Sequence, residues 1–280
     1  DVERSRGLGD VYKRQVLPFI PGIGQSINGA RIWIRIGPMS FQPAELSKVL
    51  LAVFFASYLV ANRDNLALAG RKVLWMSLPR ARHLGPLFIV WGVSIGVLVL
   101  QKDLGSSVLL FGLFVVVLYV ATDRPSWLLI GAALFLPAAW FAATHLNHVQ
   151  QRINGWLHAT DNAVYNAAGG SWQLLTGMFG MSTGGLMGAG WGKGSPTLVT
   201  FANSDFIFAS LGEELGLTGT LVLLMLYLVL IQRGLRTAML LRDGFGKLLA
   251  VGLSFAVALQ IFVVIGGCLL YTSDAADERS

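Results

Sequence analysis

Six apolar runs fix what this chain can become: approximately 46–61, 85–100, 106–121, 127–143, 206–231 and 248–267. Several are shorter than the ~20 residues a helix needs to cross a bilayer unaided, so their ends must borrow flanking polar residues. Hydrophobic residues make up 54% of the chain and charged residues 13%, and mean hydropathy is +0.63. That balance lies well outside the range of a soluble domain. The expected fold class is therefore all-α: a polytopic integral membrane helix bundle of about six crossings, with a large extracytoplasmic loop.

Charge orients the bundle. Arg63, Arg71, Lys72, Arg80 and Arg82 crowd one connection, Arg124 marks the next on that side, and Arg233, Arg236, Arg242 and Lys247 mark a third. Basic connections of this kind face the cytoplasm. The net charge of +6 is absorbed by this pattern, and no nucleic-acid partner is expected. The single cysteine, Cys268, excludes an intramolecular disulfide framework and a cysteine zinc site.

The segment 144–204 on the opposite side is too long for a simple connection and is the expected seat of extracytoplasmic function. Its second half, SWQLLTGMFGMSTGGLMGAGWGKGS, mixes aromatic and methionine residues with closely spaced glycines. It reads as a partly helical interfacial element running into a close-packed glycine turn, with membrane-surface packing as its plainest role. It lacks the Gly-Lys-Ser/Thr of a phosphate loop. His145, His148 and His158 lie in the same segment without a carboxylate or cysteine to complete a metal set, and are read as surface residues.

ANSDFIFASLGEELGLTG, from Ala202 to Gly219, places three carboxylates at the start of an apolar run. Carboxylates in a lipid-spanning helix face a bundle interior or a wet cavity by default. Glu213 lies about 12 Å deeper than Asp205 at the helical rise and about 80° around the axis, so both can address one cavity, whereas Glu214 points away. Asp205 at the helix mouth serves equally as a cap stabilised by the helix dipole.

INGARIWIRIGPMSFQPAELSKV, QKDLGSS, the SWQ…STGGLMGAGWGKGS segment and NSDFIFASLGEELGLTG occur in the order and spacing of the SEDS family. The chain thus resembles the RodA and FtsW cell-shape and cell-division proteins over most of 16–267. The Asn-Ser before Asp205 is similar to the RodA-type branch of actinobacteria. The resemblance implies a membrane peptidoglycan glycosyltransferase that polymerises lipid II outside the plasma membrane, and as partner a class B penicillin-binding protein transpeptidase. It implies that Asp205 is the catalytic carboxylate, taking a proton from the acceptor sugar hydroxyl as it attacks the anomeric carbon. No cofactor is called for, and a divalent cation is left open.

Other residues carry two readings each. Glu45 and Lys48 share a helix face just after Pro43, and Glu45 sits in the first turn, where a carboxylate favours the dipole. The resemblance places this pair inward beneath the active site, in a supporting role. Asp103 is an N-cap for the helix near Ser106 or a neighbour of the cavity. Arg31, in the NGARIW turn, either forks onto a pyrophosphate or anchors the interface beside Trp33. Gln173 matches a glutamine of the family's outer-loop motif and stands between sugar contact and packing. Glu213 and Glu214 complete the set of site-supporting residues.

Departures from the family are specific. VTFANSD puts Val199, Thr200 and Phe201 where the family often has Leu-Pro-Glu, and Thr176 replaces a second glutamine. The family has about ten crossings, so the chain reads as a fragment, with 1–15 and 268–280 as polar tails of non-native character. Two other classes remain: a lipid-precursor flippase using Glu213 or Asp205 as a proton relay, and a non-catalytic scaffold. The absence of an inverted repeat weakens the first.

Overall fold

The structure, a computed structural model, describes residues 24–27, 30–36, 39–41, 43–62, 72–73, 76–77, 85, 88–93, 96, 104–167, 170–199, 202 and 206–269. Of the expected tails, 1–15 and 270–280 lie outside them, and 268–269 are the last residues of the final helix. Long helices occupy the apolar runs: α1 (Pro43–Ala61), α2 (Leu104–Thr122), α3 (Ser126–His145), α7 (Ile207–Leu240) and α8 (Gly244–Leu269). Between α3 and α7 lie α4 (Asn147–Leu157), α5 (Asn162–Tyr165), α6 (Trp172–Gly184) and a 3-10 turn at Pro196–Leu198. Gly105–Thr122, Ser126–His145, Ile207–Leu240 and Gly244–Gly267 are long and apolar enough to cross a membrane, and Leu46–Ala61 is a shorter apolar helix. The chain is a polytopic helical membrane protein. Of the run expected at 85–100, residues 85, 88–93 and 96 are described, and all are helical.

Local chemistry sets the helix ends. Pro43 opens α1 at the position where its missing N–H costs nothing. Asp123 closes α2 with a left-handed φ of 55°, its N–H donating to the Tyr119 carbonyl at 2.8 Å. Asp243 caps α8 by accepting from the backbone N–H of Gly246 at 2.7 Å. The α7–α8 connection is shorter than the sequence suggests: the basic stretch expected as a loop over 232–247 is helical through Leu240. Its Arg and Leu residues are good helix formers, so exposure to water does not unwind it.

The described residues fall into two compact units, one within Asp1–Ala132 and Ile231–Leu259, the other within Ala133–Leu230 and Gln260–Ser280. In the first, Leu51, Phe55 and Leu59 of α1 pack with Leu110, Leu113, Phe114 and Val117 of α2, joined by Val90, Trp127 and Leu248. Phe114 is the hub of an aromatic cluster, 5.3 Å from Phe55, 5.6 Å from Phe88 and 4.9 Å from Trp91, ring centre to ring centre. Lipid tails are as apolar as these side chains, so close packing rather than escape from water holds such helices together. Small residues serve that end: a Cβ at Gly112 would stand 2.7 Å from Leu259 Cδ2.

This unit also carries two small antiparallel sheets that reading apolar runs alone does not anticipate. Strands β1 (Gly24–Ile27), β2 (Ala30–Ile36) and β3 (Met39–Phe41) pair in order, with Gly24 opposite Ile34 and Ile36 opposite Met39. β4 (Lys72–Val73) pairs with β5 (Met76–Ser77). Among the described residues the candidate membrane spans are all helical, as expected.

Candidate functional site

In the second unit, α6 and the start of α7 are two short helical pieces tied together by the glycine turn between 184 and 194. α7 is not one straight helix: Gly216 interrupts it with φ 67° and ψ −172°. A helix break strands carbonyls on one side and amides on the other. The glycine turn satisfies both. Ala189 and Gly190 donate their N–H groups to the carbonyls of Glu213 and Glu214 at 2.9 and 3.0 Å. Leu217 and Thr218 donate theirs to the carbonyls of Gly185 and Leu186 at 2.9 and 3.1 Å. The Thr218 hydroxyl adds a second bond to Leu186 at 2.9 Å.

Glycine is required here by proximity. A Cβ at Gly216 would strike the Gly188 amide nitrogen and lie 2.7 Å from the Leu186 carbonyl oxygen. At Gly188, where φ is +83°, it would strike the Glu214 carbonyl oxygen.

Glu213 is 9% exposed, and its Oε1 accepts the Ser195 backbone N–H at 2.9 Å. Its other oxygen lies where a Cβ at Gly180 or Gly194 would approach to 3.4 or 3.3 Å. The carboxylate thus fills a slot lined by glycines and fixes the end of the turn to α7. Glu214 is half-buried, with its Cγ 2.9 Å from the Cβ position of Gly194. Both glutamates therefore meet the turn, although the helical wheel separates them.

Asp205 lies outside the described residues. The next residue, Phe206, is placed: its ring Cδ1 stands 3.0 Å from the Cβ position of Gly177 on α6, with Ala209 beside it at 3.4 Å. Asp103 also lies outside them. Arg31 falls on β2, not in a turn, and Glu45 in the first turn of α1; of these two the backbone alone is described. Lys48 is 8% exposed, alongside Ser47 at 2% on α1 and Ser106 and Ser107 at 7% and 8% on α2. Lys48 and the three serines are all engaged with partners. Gln173 is half-buried on α6 and engaged, and its carbonyl accepts from the Thr176 hydroxyl at 3.0 Å. His158 and Asp161 approach at 3.9 Å with side chains 61% and 65% exposed, a solvated pair. Ser171, which the sequence does not single out, is buried and donates to the Ala159 carbonyl at 2.5 Å, tying α6 to the turn after α4.

A polytopic helical protein whose long helix is broken beside a carboxylate-pinned glycine turn is the class of molecule that fold and site define. Residues 15–270 match the FtsW/RodA/SpoVE model of cell cycle proteins, and the chain belongs to that family. It is 46% identical over 261 residues to the peptidoglycan glycosyltransferase RodA of Mycobacterium tuberculosis, covering 93% of this chain and 55% of that protein. It is 31% identical over 253 residues to the probable peptidoglycan glycosyltransferase FtsW of Geobacter metallireducens, covering 90% of this chain and 64% of that protein. The chain therefore spans about half the length of the RodA relatives it matches. A solved chain from a peptidoglycan synthase complex coordinating polymerization and crosslinking aligns with TM-score 0.65 and 25% identity, over 95% of this chain and 72% of that one. RodA of Thermus thermophilus, at TM-score 0.54 and 23% identity over 95% of this chain and 68% of that one, shares the fold.

Proposed function

We propose that this chain belongs to a peptidoglycan glycosyltransferase that polymerises lipid II, with Asp205 as the general base. The observation that carries the reading is its 46% identity, across 93% of its length, to a protein named for that activity. The higher identity to RodA than to FtsW favours a role in elongation over division. Asp205 takes the proton of the acceptor sugar hydroxyl; the hydroxyl oxygen bonds to the anomeric carbon, and the bond from that carbon to the pyrophosphate oxygen breaks, releasing undecaprenyl pyrophosphate. Phe206, seated over Gly177, and the Glu213-pinned turn hold the backbone that follows Asp205. On the resemblance, Glu45 and Lys48 are proposed as supporting residues, and Arg31, Asp103, Gln173 and Glu214 are further candidates for contact with the pyrophosphate or sugars. The segment 144–204 is on the extracytoplasmic side of the bacterial plasma membrane, and a class B penicillin-binding protein crosslinks the product.

Asp205→Asn tests the reading in the protein at the full length of its RodA relatives. Loss of a general base costs about 100- to 10,000-fold in rate, so polymer formation from purified lipid II should collapse while lipid II binding persists. Polymerisation at the wild-type rate would remove Asp205 from the chemistry. Impaired translocation with intact polymerisation would point to a flippase.

A further inference from the structure

The glycine turn and the 3-10 turn after it present a set of large apolar side chains that no described residue of their own unit covers. Leu186 is 67% exposed, Met187 83%, Trp191 76% and Leu198 66%. This surface continues onto the helix to which the turn is hydrogen-bonded, where Leu217 is 51%, Leu221 47% and Val222 60% exposed. Leu221 and Val222 lie within a candidate membrane span.

Depth along that span can be worked out. Its apolar run ends at Ile231, before Gln232 and Arg233. From Leu217 to Ile231 the helix rises about 22 Å at 1.5 Å per residue. A hydrocarbon core is about 30 Å thick. With Ile231 at one boundary, the break at Gly216 falls about 8 Å short of the other, and tilt only deepens it. Irregular backbone survives at such depth only where its polar groups are satisfied by protein. The part of the turn that faces α7 meets that condition: the amides of Gly188, Ala189 and Gly190 and the carbonyls of Gly185 and Leu186 are engaged.

We propose that residues 184–192 form a re-entrant turn inserted into the hydrocarbon of the leaflet on the N-terminal side of α7, with Leu186 and Met187 against lipid acyl chains. Trp191 and Lys193 then mark the return to the headgroup level, where an indole and a snorkelling lysine are at home. Membrane insertion of this turn is independent of whether Asp205 is the base.

A spin label on Met187→Cys, with Cys268→Ser, in the protein reconstituted in lipid nanodiscs tests it. Collision with oxygen, which concentrates in lipid, is compared with collision with a water-soluble nickel chelate. Labels at Met225, 63% exposed on the candidate span, and at Asp161, 65% exposed beside α5, supply the lipid and water references. Met187 should report as Met225 does, open to oxygen and closed to nickel. Nickel access equal to that at Asp161 would overturn the proposal in favour of an aqueous loop. Exclusion of both reagents would overturn it in favour of a covering protein helix. Leu186→Cys repeats the measurement should the first variant fail to fold.

Discussion

Replacing Gly216 by alanine should open the glycine turn without unfolding the bundle. The backbone there, φ 67° and ψ −172°, lies in a region essentially reserved for glycine, and occupying it with a side chain costs roughly 1–3 kcal/mol. The new methyl group would also strike the Gly188 amide nitrogen, forcing the turn away from α7. The bonds from Leu217 and Thr218 to Gly185 and Leu186 would then lengthen or break, at about 1 kcal/mol net each. Together these give about 3–5 kcal/mol of local destabilisation, or roughly a hundred- to several-thousand-fold faster amide exchange by local opening. Hydrogen exchange read by mass spectrometry on peptides covering 185–190 and 217–220 measures this directly. Gly192→Ala is the control: its φ is +72° but nothing lies within 4 Å of its Cβ position, so it carries only the left-handed penalty of about 1–2 kcal/mol. Equal acceleration in the two variants would refute the argument that close backbone approach, rather than dihedral preference, demands glycine at 216.

Glu213→Ala leaves the Ser195 N–H without its charged acceptor and should cost about 1–3 kcal/mol, whereas Glu213→Gln keeps an acceptor in place; thermal midpoints in detergent should rank wild type, then Gln, then Ala. Phe114→Ala should destabilise by less than the roughly 3–5 kcal/mol typical of soluble cores, because lipid removes most of the transfer contribution; steric-trap unfolding in bicelles measures it. In intact cells, an impermeant thiol reagent should label His158→Cys and spare Arg236→Cys, and the reverse pattern would invert the orientation drawn from the basic connections.

Hydropathy made the helical part of the fold legible because the lipid-spanning requirement is written in composition: α2, α3 and α8 fall within a few residues of the apolar runs. It could not reveal the break in α7, since Leu215-Gly216-Leu217 reads as uninterrupted apolar sequence and the φ of a glycine leaves no trace in hydropathy. Nor could it reveal the loss of the 232–247 loop, where positive charge reads as a connection although arginine sits well in a helix. The strands at 24–41 did leave a local signal: the two positions between Ile27 and Ala30 are Asn28-Gly29, the pair favoured by two-residue hairpins. At the site, spacing let Glu213 address a cavity with Asp205; Glu213 is buried against the glycine turn, and Asp205 lies outside the described residues. What spacing could not supply was its partner, because Ser195 lies far away in sequence and meets it only through the glycine turn.

The pairing of the turn with the two halves of α7 works as a register. Residues 185 and 186 answer to 217 and 218, and 189 and 190 answer to 213 and 214. Adding or deleting one residue between Leu186 and Ala189 would satisfy one half of the helix only by abandoning the other. Single substitutions of exposed side chains such as Met187 leave that register alone. Across the descendants of such a gene, this stretch should therefore vary in letters far more readily than in length, and an alignment gap inside it would mark a protein whose long helix is no longer broken in the same place.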